Sequence, residues 1–195
     1  MRKYIAELLG RFGLTLAVAL SLAGSFPVAT PVLAALTLGL FVYSIGHISG
    51  THINPAVTIG AWFIKKISSQ DALFYIIFQF VGAELAMIVS HLMVTPTLLT
   101  VASTLPVLIA ELLGTFFFTF GIASVIYNKA PSIMNGVVVG GSLLLGISIA
   151  SPLSNGVLNP AVALGIGSFS LAYAIGPVLG SILGMSVFKL LSREK

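Results

Sequence analysis

The sequence predicts an all-α membrane protein in which six transmembrane helices and two re-entrant half-helices form an inverted repeat. Three observations carry that prediction. Of the 195 residues, 57% are hydrophobic and only 7% charged, whereas a soluble domain has about 25% charged residues. Such a chain has too little charge to cover a surface in water. Six stretches approach the roughly 20 apolar residues that a membrane helix needs. Two short motifs also occur twice at nearly the same offset. These features exclude an ordinary cytosolic enzyme and a disordered segment. The absence of cysteine excludes a disulfide scaffold, a thiolate metal site and a cysteine nucleophile.

The six spans fall at about 4–24, 31–50, 72–94, 106–127, 132–153 and 171–191. Turn residues separate them, among them Ser25-Phe26-Pro27 and Ala130-Pro131-Ser132. Arg2 and Lys3 ahead of an apolar run resemble a cleaved signal peptide, but the internal repeat requires the first span to stay. Eight of the nine basic residues (Arg2, Lys3, Lys65, Lys66, Lys129, Lys189, Arg193 and Lys195) lie at the termini or after spans two and four. The connections near 25–30, 95–105 and 154–170 carry no Lys or Arg. By the positive-inside rule both termini are cytoplasmic. The formal charge of +4 is therefore a signal of topology, with lipid headgroups as partners and no nucleic acid.

Ile5-Ala6-Glu7-Leu8-Leu9-Gly10 recurs as Ile109-Ala110-Glu111-Leu112-Leu113-Gly114, and Asn54-Pro55-Ala56-Val57 recurs as Asn159-Pro160-Ala161-Val162. The whole chain, 1–195, is thus expected to be one membrane domain made of two repeats, 1–100 and 105–195. Each repeat holds three spans, an odd number, so the second enters the membrane inverted. Inverted repeats place the functional path near the midplane, where broken helices meet.

The broken helices follow the Asn-Pro pairs. Apolar runs continue to about Ile64 and Gly167, too short to cross a bilayer at ~1.5 Å per residue. Asparagine is a strong N-cap and proline suits the first helical position. With its oxygen used in capping, each asparagine keeps an amide NH₂ for a passing solute. Two helix N-termini facing one point, each equivalent to about half a positive charge, oppose cations. The irregular backbone before each tip (Gly50, Thr51, His52 and Ile53; Asn155, Gly156, Val157 and Leu158) is tolerable only beside a wet cavity or buried in protein. There its carbonyls would form a row of acceptors.

Two Asn-Pro-Ala boxes, paired Ala-Glu boxes and the segment His47-Ile48-Ser49-Gly50-Thr51-His52-Ile53-Asn54-Pro55-Ala56-Val57 resemble the aquaporin, or major intrinsic protein, family. The resemblance covers essentially the whole chain and is nearest the nodulin-26-like branch and bacterial arsenic-resistance-associated relatives. It implies a homotetramer with one pore in each subunit, passive passage of small neutral solutes (water, glycerol-like polyols, arsenous or boric acid), no cofactor and no catalysis. It also implies that Glu7 and Glu111 brace the re-entrant loops. In most of the family an arginine follows the second box and narrows the outer constriction. Here that position is Val162. The other filter positions, carried over by their distance from the boxes, are Ala34, Ile147 and Gly156. The resemblance therefore implies a wide, apolar filter favouring small uncharged solutes with modest desolvation cost.

Some intramembrane polar residues stand outside these motifs. Arg11 lies one turn beyond Glu7, the spacing of a helical ion pair, and is expected to pair there or to snorkel. It enters from the cytoplasmic side, so it does not reach the outer position of Val162. Glu84 and His91 lie seven residues apart on span three. They are expected to be a buried hydrogen-bonded pair or a subunit contact, or, in a competing reading, the relay of a proton-coupled or pH-gated transporter. His47 and His52 are expected to stabilise the first loop, since no further ligands stand at metal spacing. Gly10, Gly82, Gly114 and Gly180 are expected to permit close helix crossings. No glycine-rich phosphate loop and no nucleophile–base set point to an enzyme.

Overall fold

A computed structural model describes residues 1–24 and 27–192. Most of the turn expected at Ser25-Phe26-Pro27, and the cations Arg193 and Lys195, lie outside the described residues. Among the described residues eight α-helices follow one another: α1 (Arg2–Ala23), α2 (Thr30–Ser49), α3 (Pro55–Phe63), α4 (Ser69–Met93), α5 (Leu105–Ile126), α6 (Asn135–Ala150), α7 (Pro160–Gly165) and α8 (Leu171–Leu191). A single 3₁₀ turn, Ser132–Met134, leads into α6. Among the described residues six helices, α6 taken together with its leading 3₁₀ turn, are long and apolar enough to cross a membrane. The two that are not, α3 and α7, are those that follow Asn54 and Asn159.

Helix ends follow local chemistry. The α4 helix begins at Ser69, three residues ahead of its apolar run, because the Ser68 hydroxyl accepts a hydrogen bond from the Asp71 amide at 3.1 Å, a side-chain N-cap. The α6 helix stops at Ala150 rather than about 153. Pro152 has no N–H to continue the ladder, and Leu153 and Ser154 both donate back to the Ala150 carbonyl.

Packing follows one scheme twice. The α1 helix packs along α4, α5 packs along α8, and α2 meets α6 across the middle. Close approach depends on glycine. A Cβ on Gly176, Gly180 or Gly184 of α8 would run into the carbonyl oxygens of Leu108, Leu112 and Phe116 on α5. A Cβ on Gly82 would stand 2.5 Å from the Leu8 carbonyl. Small residues spaced by four are the usual means by which membrane helices come this close.

The basic connections gather at one end of the bundle. Lys3 pairs with Asp71 at 2.7 Å, and Lys66 lies over the Tyr127 ring, 4.4 Å from its centre. At the other end, Thr97 donates to the Leu22 carbonyl at 2.7 Å and Asn155 donates to the Thr100 carbonyl at 3.1 Å. The core between the ends is apolar side chains of the spans, wrapped around the asparagine-capped ends of α3 and α7, while Trp62, Phe63 and Leu164 farther along them are exposed.

Candidate solute pathway

The two half-helix tips have the same construction. Asn54 and Asn159 are extended residues at φ −159°, and each caps its own helix. The Asn54 Oδ1 accepts from the Ala56 amide at 2.8 Å. The Asn159 Oδ1 accepts from the Ala161 and Val162 amides at 3.2 and 3.4 Å. Pro55 and Pro160 occupy the first helical positions, where no N–H is missed. The tips then engage each other. Asn54 Nδ2 donates to the Leu158 carbonyl at 3.0 Å, and Asn159 Nδ2 donates to the Ile53 carbonyl at 3.3 Å. One N–H of each amide is thus fixed across the centre.

Backbone of unusual shape leads into each tip. Gly50, Thr51 and Ile53 have φ of 82°, 51° and 34°, and Gly156 and Leu158 have φ of 60° and 55°. Left-handed conformations at Thr, Ile and Leu are strained and persist only where surrounding structure holds them. Two buried carboxylates supply much of that hold. Glu7 accepts from the Ser49 hydroxyl at 2.6 Å, the His52 and Ile53 amides at 2.9 and 2.5 Å, and Gln79 Nε2 at 2.7 Å. Glu111 accepts from the Ser154 hydroxyl at 2.8 Å and from the Val157 and Leu158 amides at 3.0 and 2.7 Å. Charge-assisted bonds of this kind are about twice as strong as neutral ones. Ser49 and Ser154 also accept the Thr51 and Gly156 amides.

Outward of the tips lies a cavity of about 250 Å³. It runs from Thr30, Pro31 and Leu99 at the end opposite the basic connections to Asn54 and Asn159. Ala34, Ile147, Gly156 and Val162 all line it, and none carries a polar side-chain atom. Leu14, Val18, Leu38, Phe118 and Leu143 complete an apolar wall, and His52, Ile53, Asn155 and Val157 line it as well. Thr51 and Leu158 are buried and Gly50 exposed, and none of the three lines the cavity.

Arg11 departs from the expectation. It is fully buried, so it does not snorkel, and its donors do not reach Glu7, whose oxygens are occupied by the loop and Gln79. Its Nη2 donates to the Ile53 carbonyl, which the Asn159 amide also meets, and its Nη1 donates to Thr15 Oγ1 at 3.4 Å. The buried pair expected of Glu84 and His91 is absent. Both are exposed on the outside of α4 and neither lines the main cavity, because the face of α4 turned inward is that of Gly82, Ala83 and Ala86. His52 does hold the first loop, with Nδ1 3.2 Å from Thr58 Oγ1 and its ring edge-on to Tyr75 at 5.2 Å. His47 does not, being exposed on α2.

Sequence reasoning missed several supports. Gln79 joins Glu7 to Thr58, the Tyr75 hydroxyl donates to the Ser49 carbonyl at 2.8 Å, and the Tyr173 hydroxyl accepts from the Asn155 amide at 2.8 Å. A glutamine and two tyrosines in otherwise apolar spans were the available signal.

A sequence model of the major intrinsic protein family matches residues 1–188. Aquaporin NIP1-1 of Zea mays is 31% identical over 98% of this chain and 75% of its own length. Aquaporin Z of Photorhabdus laumondii subsp. laumondii is 29% identical over 100% of this chain and 99% of its own. Among solved structures, the aquaglyceroporin from Plasmodium falciparum superposes with a TM-score of 0.73 over 97% of this chain and 94% of that one. At 23% identity, that likeness speaks for the fold. Six spans, two capped half-helices meeting tip to tip and a family match along nearly its full length establish that this chain belongs to the major intrinsic protein family, as a multi-pass membrane channel for small solutes and not an enzyme.

Proposed function

We propose that the chain is a passive channel with a wide, uncharged constriction, passing small neutral solutes such as glycerol-like polyols and arsenous or boric acid as well as water. The observation that carries this reading is the cavity wall. Ala34, Ile147, Gly156 and Val162 share one lining with no polar side-chain atom among them, and the wall ends at two asparagine amides. A solute enters such a space by exchanging hydration for a few carbonyl and amide contacts, which suits molecules whose polar groups are uncharged. The row of acceptors comes from the loop backbone before each tip, and the remaining N–H of Asn54 and of Asn159 serves as donor. In this reading the six box residues (Asn54, Pro55, Ala56, Asn159, Pro160 and Ala161) form the midpoint and Glu7 and Glu111 hold it in shape.

The same reading takes 1–100 and 105–195 as inverted repeats, places both termini on the cytoplasmic side of the cell membrane, and assembles the chain as a homotetramer with a pore in each subunit. The placement of the termini rests on the clustering of Lys3, Lys65, Lys66, Lys129 and Lys189 at the end opposite the cavity mouth.

Stopped-flow shrinkage and reswelling of reconstituted vesicles tests the proposal across water, glycerol, urea, boric acid and arsenous acid. The wild type is expected to pass glycerol and arsenous acid well above protein-free vesicles. Val162→Arg is expected to reduce both at least about tenfold, as one extra increment of barrier does, with water much less affected. An unchanged ratio of glycerol to water would remove Val162 from the constriction.

A further inference from the structure

The fully buried acidic and basic side chains among the described residues are Glu7, Glu111 and Arg11, and they are unevenly placed. The carboxylates hold corresponding positions, one behind each half-helix tip. Each accepts hydrogen bonds from the loop it supports and donates none, as an ionised carboxylate does. Alone, they would set two negative charges beside the pathway midpoint, in surroundings of low dielectric where charge acts strongly. The half-helix N-termini oppose this with about half a positive charge each. The outer ring, with valine at 162, contributes no charge.

Arg11 changes that sum. A guanidinium stays protonated in proteins, and this one is held on the Ile53 carbonyl, whereas Glu7 is held on the Ile53 amide. The positive charge therefore stands one peptide unit nearer Asn54 than the negative one. It touches the same oxygen that Asn159 meets from the other half. Its stem fits against α4 because residue 82 is glycine, where a Cβ would lie 3.2 Å from the Arg11 Cβ and Cγ. The other half has no such group, for Thr115 stands at the corresponding place, uncharged, with its hydroxyl unpartnered.

We infer that Arg11 is the residue that excludes cations and protons from this channel, a fixed charge set behind the wall at the asparagine tips in place of one in the outer ring. The inference rests on the cavity being an uncharged solute pathway. Arg11 does not touch the solute; it acts through the potential at the tips.

The test compares wild type, Arg11→Met, Arg11→Thr and Arg11→Lys in vesicles, reading glycerol reswelling, dissipation of a K⁺ gradient, and H⁺ entry by a trapped pH dye. Each is normalised to folded channel measured by size-exclusion elution. Wild type is expected to pass glycerol while holding both gradients. The Met and Thr variants are expected to keep glycerol flux within about twofold and to leak K⁺ and H⁺ at least about tenfold faster, as loss of a nearby unit charge implies. Arg11→Lys is expected to leak like wild type. Folded Met or Thr variants without added leak overturn the inference, and so does a Lys variant that leaks as they do. Where the Met and Thr variants do not fold, the wild type and the Lys variant decide. Both holding the gradients supports the inference, and either one leaking at a rate comparable with its glycerol flux overturns it. Wild type that passes no glycerol overturns the solute reading itself, and this inference with it.

Discussion

The half of the molecule around Asn54 and the half around Asn159 are built on one frame, and they differ in what fills it. In both, a span-borne glutamate and a serine at the start of the loop gather the backbone amides before the tip, and an asparagine donates across the centre to the other loop. In the first half the carboxylate also receives Gln79 Nε2 and has a guanidinium on the next carbonyl. In the second half the hold passes instead through neutral groups. Tyr173 accepts the Asn155 amide, and Asn155 donates to Ser168 Oγ at 2.7 Å. The helices differ too, nine residues in α3 and six in α7. Duplicated geometry therefore does not imply duplicated electrostatics: the frame is shared while ionised groups are concentrated on one side.

The strongest way to break this comparison is to remove one carboxylate at a time. Glu7→Gln leaves the Ile53 amide and Gln79 facing an NH₂ group and strips Arg11 of its nearest counter-charge. A loss of about 3–5 kcal/mol is expected, the range for leaving a buried charge uncompensated. Glu111→Gln leaves chiefly the Leu158 amide without an acceptor and strands no cation, for a loss of about 2–3 kcal/mol. Thermal stability in detergent, followed by loss of the folded size-exclusion peak, should rank Glu7→Gln below Glu111→Gln, and solute flux should follow the same order. Equal losses would mean that Arg11 draws nothing from Glu7.

The frame was far more legible in the sequence than the difference between halves. Spans and tips are local: apolar length sets the first, and an Asn-Pro pair ahead of a short apolar run sets the second. The two glutamates were legible because the repeat itself singles them out. The destination of Arg11 was not, since its position fixes its depth along α1 but not the carbonyl it meets on a loop 42 residues later. The buried pair expected of Glu84 and His91 failed for a related reason. A spacing of seven puts two residues on one helix face, but only packing decides whether that face turns inward, and on α4 the inward face is the one with small residues. Gln79 went unnoticed because a single amide in a span has no period.

A smaller effect sharpens the comparison at the helix seams. Gly180→Ala places a methyl group against the Leu112 carbonyl, while Gly176 and Gly184 hold the same seam close on either side. Gly82→Ala meets the Leu8 carbonyl at 2.5 Å, a slightly wider approach than the 2.3 Å at Gly180, and the stem of Arg11 at 3.2 Å. Overpacking of this kind costs about 1–3 kcal/mol. The α8 variant should fall at the upper end of that range and the α4 variant at the lower end in the same melting assay. The reverse order would show that the Arg11 stem is the tighter contact.

The mildest test concerns the position at which the two halves depart in charge. Thr115 is fully buried and its hydroxyl has no partner, so burial removes its hydration and nothing is gained in return. Valine has nearly the same shape and no polar atom to desolvate, and an unsatisfied buried hydroxyl costs about 1–3 kcal/mol. Thr115→Val should therefore leave stability unchanged or raise it by about 1 kcal/mol, the low end of that cost. Thr15→Val, in the other half, removes an acceptor from Arg11 and should lower stability by a similar amount. Opposite signs at two threonines on corresponding spans would locate the asymmetry in the guanidinium and not in the helices that carry it. A loss at Thr115 as large as that at Thr15 would mean that its hydroxyl meets a group of the pathway, such as water drawn in beside the second tip.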